Sequence, residues 1–354
     1  MSTTMAADDA AAAALFVPFS QAVVAWPPDQ RVLFLGARDG IGLRSAQRST
    51  WLCQQSFKPF AEPLLASGAT LREPADDERF DVVLLLPSRQ RDLMRAEFAR
   101  GVQHLTAKGT LLTSVANTQG AKSAQADLEA LAGPTQQLSK FKSRVFWLSP
   151  QATAVNQVLA QSWLARSAIQ AIADGAYVSR PGLFAWDRID AASALLAEHL
   201  PEDIAGCVAD LGAGYGYLAS QVAMRCAGVT QVDLYEAEAR ALEPARINMR
   251  QALSLRESEA SFELCWHDVT RGLPQRYDVI VSNPPFHQGR ADQPELGRAF
   301  IRSAAQALQA DGRFFMVANR HLAYETTLDK HFAQVITLAT QQGFKVFQAS
   351  GPRP

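Results

Sequence analysis

A short apolar run, a glycine-bearing turn and a helical stretch follow one another twice in this chain, and that repetition leaves few folds open. In the second half, Cys207-Val208-Ala209-Asp210-Leu211 runs into Gly212-Ala213-Gly214-Tyr215-Gly216, with a helical pattern over residues 218–226. In the first, Arg31-Val32-Leu33-Phe34-Leu35 runs into Gly36-Ala37-Arg38-Asp39-Gly40. Strand, glycine turn and helix form the first unit of a doubly wound α/β sheet, where the turn lets a ligand reach the backbone at the carboxyl end of the strand. Setting Leu35 on Leu211 orders two further pairs. Phe80-Asp81-Val82-Val83-Leu84-Leu85-Leu86-Pro87 falls on Tyr277-Asp278-Val279-Ile280-Val281-Ser282-Asn283-Pro284, and Lys108-Gly109-Thr110-Leu111-Leu112 on Asp311-Gly312-Arg313-Phe314-Phe315. Three landmarks in one order point to a duplicated fold.

A length of 354 residues suits two domains, each with its own core. The boundary is placed near residue 165, giving domains over 1–165 and 166–354. Residues 151–176 read as a helix between the copies, residues 177–186 lead into the second domain, and Asp190 opens a helix over 191–200.

The copies differ where a ligand site needs particular residues. Arg38 stands where the second copy has Gly214, and its side chain would block the close approach that glycine permits. Leu86 stands where the second copy has Asn283 and cannot accept a hydrogen bond. The first domain therefore reads as a degenerate copy, a fold kept without its catalytic site, and the second as catalytic.

Within the second copy, Gln231-Val232-Asp233-Leu234-Tyr235 ends on Glu236, about 20 residues past the glycine turn, the spacing at which an acid meets a ribose in this architecture. Residues 261–266 end near Asp268, and Tyr277-Asp278-Val279-Ile280-Val281-Ser282 delivers Asn283-Pro284-Pro285-Phe286. Further elements are a helix over 299–308, a strand over 313–318 and a closing strand Phe344-Lys345-Val346-Phe347.

The Asn-Pro-Pro-Phe motif suits methylation of a planar exocyclic nitrogen. Such an amine is a poor nucleophile because its lone pair is delocalised into the ring. The Asn283 side-chain carbonyl and the Pro284 backbone carbonyl can each accept one N–H, which draws the nitrogen toward tetrahedral geometry and aims its lone pair at a sulfonium methyl. These bonds strengthen as positive charge develops, so they lower the barrier selectively. The prolines fix φ and carry no N–H, so carbonyls are presented rigidly. Phe286 offers a face on which a base can stack. No general base is demanded, and His287 is not needed as one.

Charge gives no sign of a polyanionic partner, with 34 Lys and Arg against 35 Asp and Glu. Any RNA surface must be local, and the densest basic cluster is Lys140, Lys142 and Arg144. No apolar run reaches membrane-spanning length, and residues 1–14 lack the basic start of a secretory signal. Cys53, Cys207, Cys226 and Cys265 are too scattered for a metal site or a disulfide framework, so reduced thiols in the cytoplasm are expected.

Taken together, Asp210-Leu211-Gly212-Ala213-Gly214 and Ser282-Asn283-Pro284-Pro285-Phe286-His287-Gln288-Gly289 resemble the RsmC-like ribosomal RNA guanine-N2 methyltransferases. The resemblance extends to Arg180-Pro181-Gly182-Leu183-Phe184, Asp190 and the closing strand. It implies two tandem class I, Rossmann-like methyltransferase domains, the first degenerate and the second catalytic. It implies S-adenosylmethionine as methyl donor, held by Asp210, Gly212, Ala213, Gly214, Glu236, Asp268 and Asn283, with Asn283, Pro284, Pro285 and Phe286 catalytic. The implied substrate is a guanine 2-amino group in small-subunit ribosomal RNA, acted on by a monomer without metal or membrane. The same motif also serves large-subunit guanine, DNA bases and release-factor glutamine, and a catalytically silent RNA-binding assembly factor is the alternative from outside the enzymes.

Overall fold

The computed structural model describes residues 7–26, 31–46, 51–149, 155–285, 287–288, 291–292 and 294–353. The chain divides into two compact units, Met1–Ala168 and Ile169–Pro354.

In the first unit, strands β1 (Val32–Leu35), β2 (Trp51–Gln54), β3 (Phe80–Leu85), β4 (Leu105–Ala116), β5 (Gln136–Lys140) and β6 (Ser143–Leu148) form one sheet in the order β2-β1-β3-β4-β6-β5. In the second, a short hairpin of β7 (Gln170–Ile172) and β8 (Tyr177–Ser179) precedes β9 (Ala205–Leu211), β10 (Gly228–Glu236), β11 (Ser261–Trp266) and β12 (Tyr277–Ser282). A ribbon of β13 (His287–Gln288) and β14 (Ala291–Asp292) follows, then β15 (Leu308–Asn319), β16 (Phe332–Gln341) and β17 (Phe344–Pro352). The large sheet runs β11-β10-β9-β12-β15-β17-β16, parallel from β11 to β15 and antiparallel at β17 and β16.

The strands form where apolar residues can be buried on both faces of a sheet. Along β9, β12 and β15, neighbours alternate between two cores: Val208, Val281 and Phe315 join one, and Ala209, Ile280 and Phe314 the other. Each large side chain so buried contributes roughly 1.5–3 kcal/mol. Helices Ala191–His199 and Tyr217–Arg225 close the first face, and Pro294–Ala307 the second. The first unit repeats this, with Leu33, Val83 and Leu111 on one side and Phe34, Val82 and Leu112 on the other.

The two sheets share their strand order once β11 is set aside, and the sequence landmarks hold the same register. Leu35 pairs with Leu85 as Leu211 pairs with Ser282, and Val82 pairs with Thr110 as Val279 pairs with Arg313. Asp81 accepts the Arg31 backbone N–H at 3.1 Å as Asp278 accepts that of Cys207 at 2.8 Å. Gly109 and Gly312 sit at equivalent bulges, where a Cβ would press on Leu105 and Leu308 respectively. In the place of β11 the first sheet has a single bridge from Cys53 to Leu71.

Two expectations are corrected. Residues 151–176 are not one helix: the helix is Gln157–Arg166, and the β7–β8 hairpin follows. The hairpin turns through Ala173, Asp174 and Gly175, all at positive φ, which a helix cannot accommodate. The closing strand expected at 344–347 is present but longer, Phe344–Pro352, and it lies between β15 and β16, a strand over Phe332–Gln341 that was not expected. The edge strand β16 is mostly exposed although Val335, Ile336 and Leu338 are apolar.

Candidate active site

Strands β9 and β12 lie side by side at the middle of the second sheet, with Leu211 opposite Ser282. The glycine turn and Asn283 therefore leave the same sheet edge from adjacent strands, roughly 4.8 Å apart in the hydrogen-bonding direction. Ser282 ties the two exits together by donating its hydroxyl to the Leu211 carbonyl at 2.8 Å. The next strands, β10 and β11, deliver Glu236 and Asp268 to that edge.

The turn is braced from β10. Gly212 and Ala213 both donate their N–H to the Tyr235 carbonyl, at 2.8 and 3.1 Å. Glu236 accepts the Gly214 N–H on Oε2 at 2.7 Å and the Glu238 N–H on Oε1 at 2.8 Å. Gly212 and Gly214 have φ of 75° and 55°, and a Cβ on Gly214 would meet nothing within 4 Å, so its α-carbon faces open space. A ligand can lie against the backbone there.

Acceptors without donors define the rest. Asp210 is buried; its Oδ2 accepts the Ala219 N–H at 3.0 Å, and its Oδ1 has no partner. Burial pushes its carboxyl up to about 7, against the Ala219 hydrogen bond and with help from the nearby Glu236 charge. Glu236 is also pushed up by burial, partly offset by its backbone N–H partners. Asp268 caps the turn Val269–Arg271, accepting the Thr270 N–H at 3.0 Å and its hydroxyl at 2.7 Å on Oδ1. Asn283 donates from Nδ2 to Asp190 Oδ2 at 2.9 Å and to Ser193 Oγ at 2.8 Å, and its buried Oδ1 has no partner. Pro284 is buried and Pro285 exposed. Phe286 lies outside the described residues, as does the side chain of His287.

The edge thus combines an open glycine backbone, two carboxyls that burial disfavours as anions, and two buried lone acceptors. A cationic ligand with hydroxyl and amine donors suits the open backbone, the two carboxyls and the lone Asp210 oxygen, and S-adenosylmethionine has that chemistry: a sulfonium, an ammonium and a ribose diol. Asp210, the glycine turn, Glu236 and Asp268 would hold it. Among the described residues no three His, Cys, Asp or Glu side chains gather as a metal-ligand set, and no helix is long and apolar enough to cross a membrane.

Sequence reasoning brought Asp210, Gly212, Ala213, Gly214, Glu236, Asp268, Asn283, Pro284 and Pro285 to this edge, where the structure places them. It read Asp190 only as a helix opener and missed that Asp190 and Ser193 grip Asn283. The first unit holds a second missed residue. Gln55 follows β2 as Glu236 ends β10, and its Oε1 accepts the Phe57 N–H two residues on, as Glu236 does for Glu238. Its amide, however, donates to the Ala37 carbonyl at 2.8 Å, so no acid stands there. Setting Leu35 on Leu211 and pairing the next strand would have found it. Over Gly36 a Cβ would collide with the Leu86 backbone carbonyl, whereas over its counterpart Gly212 it would meet only the edge of the Phe300 ring. The Arg38 guanidinium lies 3.1 Å from the centre of the Phe60 ring.

The family model described as a methyltransferase small domain matches residues 174–348. Ribosomal RNA small subunit methyltransferase C of Shewanella pealeana is 26% identical over 290 residues, covering 81% of this chain and 83% of that protein. Ribosomal RNA large subunit methyltransferase G of Alcanivorax borkumensis is 35% identical over 175 residues, covering 49% of this chain and 44% of its own length. Among solved structures, the 16S rRNA N2 G1207 methyltransferase RsmC of T. thermophilus, in complex with AdoMet and guanosine, superposes with a TM-score of 0.77 at 26% identity, over 96% of this chain and 91% of that one. The chain resembles the RsmC methyltransferases over most of its length. Its likeness to that RsmC spans both units, while the methyltransferase small domain match falls within the unit that carries Asn283.

Proposed function

We propose that the chain transfers a methyl group from S-adenosylmethionine to the 2-amino group of a guanine in small-subunit ribosomal RNA, and that the second unit does the chemistry. The observation that carries this reading is the Asn283 amide, held with its carbonyl oxygen buried and unpartnered beside an open glycine turn. RsmC relatives covering about four-fifths of the chain support the choice of guanine and of the small subunit.

Bound at the turn, S-adenosylmethionine supplies a methyl made electrophilic by its sulfonium. The chain's own residues prepare the acceptor. Asn283 Oδ1 takes one N–H of the guanine amine, and the Pro284 carbonyl takes the other, so the lone pair is no longer conjugated with the ring and points along the line of displacement. Positive charge grows on the nitrogen as the new bond forms, and both acceptors stabilise it more than they stabilise the neutral amine. The product nitrogen sheds its proton to water. Phe286, next in the chain, is assigned to stacking against the base.

The first unit is assigned a non-catalytic role. Gln55 replaces the ribose acid, Leu86 replaces the acceptor, and the Leu86 carbonyl closes over Gly36. Such a unit can hold RNA or act as a scaffold. The chain is assigned to the cytoplasm, where ribosomal subunits are assembled, as a monomer.

Incubation with labelled methyl donor and separate pools of small subunits, large subunits, naked small-subunit RNA and release factor tests the substrate. Label is expected on guanine N2 of small-subunit RNA. Label confined to protein or to large-subunit RNA would overturn the reading.

A further inference from the structure

Asn283 is the acceptor in the proposed reaction, and among the described residues its amide is held from outside its own loop. The two ends of an amide side chain have nearly the same shape, and rotation by 180° exchanges two donors for an acceptor. In the wrong orientation, Asn283 would present N–H groups to the amine it is meant to draw on. Its orientation is set by residues that lie 93 and 90 positions earlier in the chain, Asp190 and Ser193.

Asp190 Oδ2 receives the Asn283 Nδ2 at 2.9 Å, and Ser193 Oγ receives it at 2.8 Å. An ionised carboxylate oxygen can only accept, so the contact admits Nδ2 and rejects Oδ1. The same Asp190 oxygen accepts the Ser193 backbone N–H at 2.9 Å, which caps the helix Ala191–His199 and fixes the carboxylate against its first turn. Both N–H groups of Asn283 thus have acceptors within reach, while Oδ1 is left buried and unpartnered. A carboxylate drawing on the N–H side of an amide also increases the negative charge on its carbonyl oxygen.

We infer that Asp190 and Ser193 are positioning residues that lock the Asn283 amide with Oδ1 toward the reacting nitrogen, so that the helix cap also serves as the orientation device of the catalytic acceptor. The inference rests on the proposed role of Asn283, but the orientation itself can be read without any substrate.

The test uses the full chain. The side-chain amide signals of Asn283, recognised by their loss in Asn283→Ala, are followed by hydrogen exchange in the wild type, Asp190→Ser, Asp190→Asn and Ser193→Ala. Serine preserves the helix cap but is too short to reach Nδ2, whereas asparagine keeps a carbonyl acceptor. In Asp190→Ser, exchange at Nδ2 is expected to accelerate by about tenfold or more, and kcat to fall by roughly 10- to 100-fold with KM for RNA and affinity for S-adenosylmethionine little changed. Asp190→Asn should recover most of both. Unchanged exchange in Asp190→Ser overturns the clamp, and unchanged kcat with accelerated exchange overturns its role in the reaction. Should Asp190→Ser lose its fold, Ser193→Ala decides, since it keeps the backbone cap and removes one acceptor: slower turnover at unchanged Tm supports the inference and wild-type turnover overturns it. If the wild type methylates something other than guanine, the substrate reading fails and the exchange result still decides the clamp.

Discussion

At the scale of single residues, the site is a set of charges and lone pairs kept from water until a ligand arrives. Replacing Asn283 by alanine should lower kcat by about 100-fold or more, the loss typical of a preorganised polar group aimed at developing charge. Affinity for S-adenosylmethionine, measured by calorimetry, should remain close to that of the wild type. Asp210 carries a pH dependence. Its carboxyl sits at about 7 in the folded protein against an ordinary value of 3.8, so the ligand-free protein should lose stability as pH rises from about 4 to about 7, where the buried group must ionise. A cationic ligand favours the ionised form. Affinity for S-adenosylmethionine should therefore weaken below about pH 7, and binding should release a proton, seen as a buffer-dependent heat. Wild-type pH dependence in Asp210→Asn would contradict this. Asn283 and Asp210 were legible in the sequence because each sits in a short local pattern. The grip of Asp190 and Ser193 on Asn283 was not, since it spans about 90 residues and depends on how a helix start meets a strand end.

At the scale of elements, the two glycine turns answer differently to the same change. Gly36 has φ of 64° and lies under the Leu86 carbonyl, so Gly36→Ala adds a collision to backbone strain and should cost roughly 2–4 kcal/mol of stability. Gly214 has φ of 55° with open space around it, so Gly214→Ala should cost only about 1 kcal/mol yet weaken binding of S-adenosylmethionine. Thermal melts with and without ligand separate the two outcomes; similar losses of stability in both variants would contradict the collision at Gly36 or the open space at Gly214. The buried parallel strands were readable because they are continuous apolar runs bounded by turns. The β7–β8 hairpin was not, because Ala165, Ala168, Ala171, Ala173 and Ala176 supply a helical propensity that the positive φ of residues 173–175 overrides.

At the scale of the whole molecule, duplication is written in register as well as in sequence. The aspartate ties at Asp81 and Asp278, the bulges at Gly109 and Gly312, and the shared strand order all survive. Apart from β11, which has only a bridge in its place, the changes that bear on chemistry fall at turn and strand-end positions, at Arg38, Gln55 and Leu86, where folding asks less than chemistry does. The full chain should accordingly bind one S-adenosylmethionine, and a calorimetric stoichiometry of two per chain would refute the assignment of the first unit. The sequence alignment alone pointed to that asymmetry through Arg38 and Leu86. It could not show the Leu86 carbonyl over Gly36, because backbone direction after a strand is not encoded in residue identity.

A chain that carries two sheets of one strand order also has a problem during synthesis. While it folds, a central strand of one half meets partners of the other half that offer the same hydrogen-bonding register, and tandem repeats are prone to such mispairing. The single bridge at Leu71 bears on this: β2, the counterpart of β10, has no full strand on its outer side among the described residues, so a newly made β11 meets two strand edges of similar register, and the bridge to Cys53 is what covers the wrong one.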